Sequence, residues 1–236
     1  MALPPSGTTD EAFLREVDEE YRRSQMLGVW QKYGRLIIGA VVIAFVALAG
    51  FLFWQHQTDS AAGTKGEQYD AALRQIEQNQ PDKASPELAK LAASGTNGYA
   101  AMSSIVEGNL LVQKKDLKGA AAKFAAVAGN SGYAKPFRDY ALLRQTSVEY
   151  DTLKPEVVVS RLQGLAKPDS AWFGSAGELV ATAQIKLGKR AEAGKLLQQI
   201  AQGGENVPDT TRQRAVQLAS VLGIDVLDQS KEKQAK

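Results

Sequence analysis

An enzyme needs a nucleophile, a base or a set of metal ligands, and this chain is poor in all three. It has no cysteine and a single histidine, His56. That removes disulfides, thiolate metal sites, catalytic thiols and any metal site built on several imidazoles. Its serines and threonines therefore lack a histidine base, because His56 stands directly behind a long apolar run, where an interfacial residue is expected. Carboxylates are scattered along stretches with helical periodicity. Gly203-Gly204 has the composition of a turn, and no glycine-rich loop is followed by Lys-Ser/Thr to cradle phosphates. No catalytic residue, cofactor, metal or small-molecule substrate is expected. The net charge of +2 gives no basic stripe for nucleic acid.

What the side chains offer instead is a surface for recognition. Met102, Ile105, Asn109, Val112, Tyr140, Leu143, Ser147, Tyr150, Ser175, Glu178 and Thr182 recur at helical spacing in three segments. The set is apolar and aromatic with small polar residues between. If these segments are the first helices of successive helix pairs, the residues line one concave face. Such a face suits an extended or helical peptide better than a phosphate or an acidic tail. Some members of the set must pack helix against helix.

A repeat supplies the elements that would position them. Ala84, Ala120, Val158 and Ala193 form one column; Leu88, Phe124, Leu162 and Leu197 follow four residues later; Leu91, Val127, Leu165 and Ile200 follow three further on. Successive units are offset by 36, 38 and 35 residues (120 − 84, 158 − 120, 193 − 158), close to the ~34 of tetratricopeptide repeats. A small residue lets a second helix approach the first, and the larger ones fill the gap to the neighbouring pair. In "GNLLVQKKDLKGAAAKFAAVAG", Gly108 and Leu111 lie on one helix and Ala120, Phe124 and Val127 on the next, with a turn at Lys114 to Asp116. "IKLGKRAEAGKLLQQIAQ" repeats this about Leu187-Gly188-Lys189, with Ala181 in place of the glycine. Glycine- and proline-rich breaks separate the units. A closing helix is predicted over roughly Asp209 to Leu222, and a charged tail beyond 224. The unit around Thr146 to Leu165 is degenerate, with Pro155 expected in the first turn of its second helix.

Ahead of the repeats, Leu36 to Trp54 is an unbroken apolar run of about the ~20 residues that span a bilayer as a helix. It has no polar face, unlike the helix of a soluble core. A signal peptide is the rival reading, with Ser60-Ala61-Ala62 as a cleavage site, but the run is long and begins after 35 residues. Arg22, Arg23, Lys32 and Arg35 precede it closely and only Lys65 follows, which predicts a cytoplasmic N-terminus. Thr8 and Glu11 have the spacing of a capping box, and Phe13, Leu14, Val17 and Tyr21 follow at helical intervals. The expected organisation is a cytoplasmic amphipathic segment (1–35), a transmembrane helix (36–54), a linker (55–66), an all-α solenoid of helix pairs (67–224) and a tail (225–236).

In this order, "DEAFLREVDEEYRR", "VWQKYGRLIIGAVVIAFVALAGFLFWQ" and the repeats resemble the YfgM-like family of bacterial inner-membrane proteins. The resemblance implies a single-pass inner-membrane protein with a periplasmic TPR-like domain. It further implies an ancillary role at the Sec translocon, with translocon subunits, exported chains and periplasmic chaperones as partners. The alternative is a structural coordinator of envelope assembly or cell division that uses the same domain. Neither partner set follows from composition or period.

Overall fold

The computed structural model describes residues 8–95 and 98–224, with side chains from Trp30 onward apart from residues 31 and 58–61. The expected cap and apolar positions from Thr8 to Tyr21 and the tail beyond 224 therefore lie outside the described side chains. The described residues form helices and turns, with no strand. In chain order the helices are α1 (Thr8–Glu77), α2 (Pro81–Ala92), α3 (Gly98–Gln113), α4 (Leu117–Gly129), α5 (Lys135–Glu149), α6 (Pro155–Leu162), α7 (Phe173–Lys186), α8 (Arg190–Ala201) and α9 (Asp209–Val221). The chain divides into two compact units, Met1–Gly63 and Thr64–Lys236.

In the first unit, the apolar run lies within α1, and among the described residues no other segment covers it. Ile43, Phe45, Val46 and Phe53 are each at least two-thirds exposed. A soluble helix this apolar would have to hide those side chains. It is the one helix, among the described residues, long and apolar enough to cross a membrane.

The small polar stretch Thr58 to Gly66, expected as a linker, is helical and belongs to α1. It contains no proline, and a glycine costs a helix only about 1 kcal/mol. Its last residues are also packed within the second unit. The Lys65 ammonium donates to the Ser94 carbonyl at 3.3 Å, and a Cβ on Gly66 would meet the Tyr99 hydroxyl at 2.7 Å. The second compact unit accordingly begins at Thr64.

The second unit is a row of four helix pairs closed by α9. The end of α1 pairs with α2, α3 with α4, α5 with α6 and α7 with α8. All twelve members of the three aligned columns are at most 5% exposed, so the repeat register stands. A fourth column completes it. Ala72, Gly108, Thr146 and Ala181, all buried, lie on the first helices, sixteen residues before Leu88, Phe124, Leu162 and Leu197 (88 − 72 in the first pair). Phe124 packs onto Gly108, a Cβ there falling 2.7 Å from the ring, and Ala72 and Ala181 share clusters with Leu88 and Leu197. The core is accordingly split into four clusters, centred on Leu88, Phe124, Leu162 and Leu197.

The sixteen-residue spacing also holds in the degenerate unit, so its extra two residues are not in "YDTLKP". They fall between Phe124 and Thr146, a stretch two residues longer than that from Leu88 to Gly108 and one that includes the loop at 130–134. There Asn130 accepts from the Gly132 amide at 2.9 Å, and Tyr133 is buried against the Phe124 cluster. Pro155 opens α6, as expected.

Three first helices and α9 end in the same way. Asn79, Lys115, Gly188 and Gly223 have φ of 57°, 62°, 76° and 75°. The amide of the following residue bonds back five positions, as in Gln80 to Gln75 (2.8 Å) and Asp116 to Leu111 (2.9 Å). This left-handed ending favours glycine or asparagine. Lys115 is the exception, and Lys115→Gly should raise stability by about 1 kcal/mol, read as a higher urea midpoint with unchanged slope. Asp116 then caps α4 by accepting from the Gly119 amide at 2.9 Å.

Candidate protein-binding surface

The first helices meet side by side, and their side chains bridge from one pair to the next at the repeat period. Arg144 on α5 donates to the Asn109 carbonyl oxygen on α3 at 2.9 Å. Arg214 on α9 grips Glu178 on α7 through two bonds of 2.8 and 2.7 Å. The Lys186 ammonium sits 4.4 Å from the ring centre of Tyr150, and the Tyr140 and Trp172 rings stand 5.1 Å apart. The partners are 35 or 36 residues apart (144 − 109, 214 − 178, 186 − 150), except the last pair at 32 (172 − 140). Glu178 raises the pKa of Arg214 through its hydrogen bond and then its charge. The Tyr150 phenol is pushed up chiefly by burial and next by Asp151, while Thr182 pulls the other way.

The expected set divides on this frame. Ile105 and Leu143 are core residues, 7% exposed, in the Phe124 and Leu162 clusters. Val112 and Tyr140 are half-buried against the Phe124 cluster, and Tyr150 against the Leu162 cluster. Asn109 and Glu178 are engaged in the bridges. Thr182 donates to the Glu178 carbonyl at 2.8 Å. Met102 is half-buried, and Ser147 and Ser175 are exposed.

Four residues outside the expected set join this surface: Arg144, Trp172, Lys186 and Arg214. The repeat period, applied to polar residues as well as apolar ones, points to three of them. The surface has two bands. Tyr99, Phe137 and Trp172 occupy one repeat position, nine residues before Gly108, Thr146 and Ala181 (108 − 99 in the second pair). With Met102 and Tyr140, six residues before that column (108 − 102, 146 − 140), they make a half-buried aromatic band near the starts of the first helices. Asn109, Arg144, Ser147, Thr182 and Lys186 make a polar band toward their ends.

A family model described as a tetratricopeptide repeat-like domain matches residues 28–222. The chain belongs to that family. Helix pairs stacked at 35- to 38-residue offsets are what such a repeat domain requires, and the match includes the apolar helix. The curated relative "Ancillary SecYEG translocon subunit" of Haemophilus influenzae is 25% identical over 107 residues, 45% of this chain and 52% of the relative. The chain thus spans about half the length of that relative. No solved structure matches. Both likenesses agree with the YfgM-like resemblance. A repeat-built surface and a translocon-associated relative support the role of a repeat-domain adaptor, and the apolar helix fits a membrane location.

Proposed function

We propose that this repeat protein is a non-enzymatic adaptor, anchored in the bacterial inner membrane by α1. Its repeat unit lies in the periplasm, where it receives exported chains beside the Sec translocon and passes them to periplasmic chaperones. The observation that carries the reading is the first-helix face, which joins exposed serines, an aromatic band and charged groups across consecutive pairs. The basic flank at Arg22 to Arg35 supports the orientation, and the translocon-associated relative supports the partner class. Anchoring raises the effective concentration of a weak binder near its target.

The chain has no cysteine, so a single Ser147→Cys variant tests orientation and contact together. In spheroplasts a membrane-impermeant maleimide should label it without lysis. A thiol-reactive photocrosslinker there should capture a translocon subunit, an exported chain or a periplasmic chaperone, while one at Ala126→Cys, on the exposed side of α4, should not. Labelling only after lysis would reverse the orientation. Capture of division or wall-synthesis proteins would replace export with envelope coordination.

A further inference from the structure

The charges of the first-helix face are unevenly satisfied. Each carboxylate within α3, α5 and α7 already has a cation: Glu107 has Lys123, Asp139 has Lys135, Glu149 has Arg161 and Glu178 has Arg214. Arg144 and Lys186 have no carboxylate within ion-pair distance among the described residues; Arg144 neighbours the Asn109 amide and the Phe124 ring, and Lys186 the Tyr150 ring. One donor there is buried without a protein acceptor, Arg144 Nε; the Tyr150 hydroxyl beside Lys186 has the Thr182 side chain as its neighbour. A buried donor left unpaired is costly, most of all on a charged group. Asp151, just past α5, is a further carboxylate and is exposed. Next to these cations runs the band of Tyr99, Met102, Phe137, Tyr140 and Trp172.

We propose that this face takes an extended polypeptide segment in which apolar and acidic side chains alternate. Its carboxylates and backbone carbonyls are held by Arg144 and Lys186, and its apolar side chains lie on the aromatic band. In an extended strand successive side chains point to opposite sides, so one segment can serve both bands while crossing the first helices. The sequence pattern alone disfavours an acidic partner; the pairing of the face's own carboxylates reverses that expectation. The inference rests on the adaptor reading and gives it a chemical preference.

The test uses the full chain in zwitterionic nanodiscs and a short fluorescein-labelled peptide alternating Leu and Glu with one Tyr. Two further peptides carry Gln or Lys in place of Glu. The Glu peptide should bind at least about ten-fold more tightly than the Gln peptide, the scale of one charged hydrogen bond, and the Lys peptide should not bind. Added salt should weaken the Glu peptide alone. Lys186→Gln, at an exposed position, should shrink the Glu preference by up to about five-fold. Arg144→Gln should shrink it further, and Arg144→Lys should restore part of it. Equal binding of the Glu and Gln peptides overturns the proposal. So does binding of anionic phosphatidylglycerol vesicles that Lys186→Gln abolishes without any binding of the Glu peptide, which would assign the cations to lipid. If no peptide binds while Ser147→Cys still captures a protein, the acidic preference falls and the adaptor reading stands. If the Glu peptide binds but Ser147→Cys captures nothing, the reverse holds.

Discussion

Phe124→Ala should destabilise the repeat unit by ~3–5 kcal/mol. Phe124 is fully buried, and its ring lies against Gly108 of the preceding helix, close enough that a Cβ there would fall 2.7 Å from it. The Arg144 guanidinium also covers the ring, 5.5 Å from its centre. Truncation removes the transfer energy of the ring and leaves a cavity between helices held apart by their other contacts. A domain of this size has only about 5–15 kcal/mol to lose. Chemical denaturation followed by far-UV circular dichroism measures the effect. A change within about 0.5 kcal/mol, as at surface sites, would mean that Phe124 is not at the core of its pair.

The complementary change fills the same space from the other side. Gly108→Val would place carbon atoms inside the Phe124 ring contact, and the ring, enclosed on all sides, cannot swing away as a long surface side chain can. Helix propensity favours removing a mid-helix glycine by several tenths of a kcal/mol. Overpacking opposes it with about 1–3 kcal/mol or more, and a β-branched residue cannot turn its methyl groups aside. The net expectation is a loss of about 2 kcal/mol. The strongest check is coupling. Phe124→Leu should cost stability alone yet recover much of it when combined with Gly108→Val, because the two side chains share one space. Strict additivity would show that Gly108 and Phe124 do not meet.

The second helices were legible because their columns combine a small residue with two large ones at fixed spacing. The first helices were half legible. Gly108 and Ala181 stood out, whereas Ala72 and Thr146 did not, since alanine is common here and a buried threonine looks like a surface residue. Thr146 is tolerated because its hydroxyl bonds back to the Leu142 carbonyl at 2.9 Å, a pairing invisible in composition. The helical course of Thr58 to Gly66 was hidden for a similar reason. Its residues resemble a linker one by one, and only the docking of Lys65 and Gly66 on Ser94 and Tyr99 shows otherwise. On the candidate face, helical spacing placed residues on the correct side but could not separate Ile105 and Leu143, which turn inward, from Ser147 and Ser175, which do not. Trp172 precedes α7 and so lay outside any helical pattern.

The division of the core into four clusters has a consequence for motion. Each second helix is held by its own pair and its neighbours, not by one central core, so opening one pair leaves distant pairs intact. Amide hydrogen exchange in such a row is graded rather than uniform. The last pair is closed on its outer side by α9, whereas α9 itself is buttressed on one side only, so protection declines toward α9. A segment lying across several first helices would tie those semi-independent parts together, and its arrival would be recorded as slowed exchange in helices it never touches.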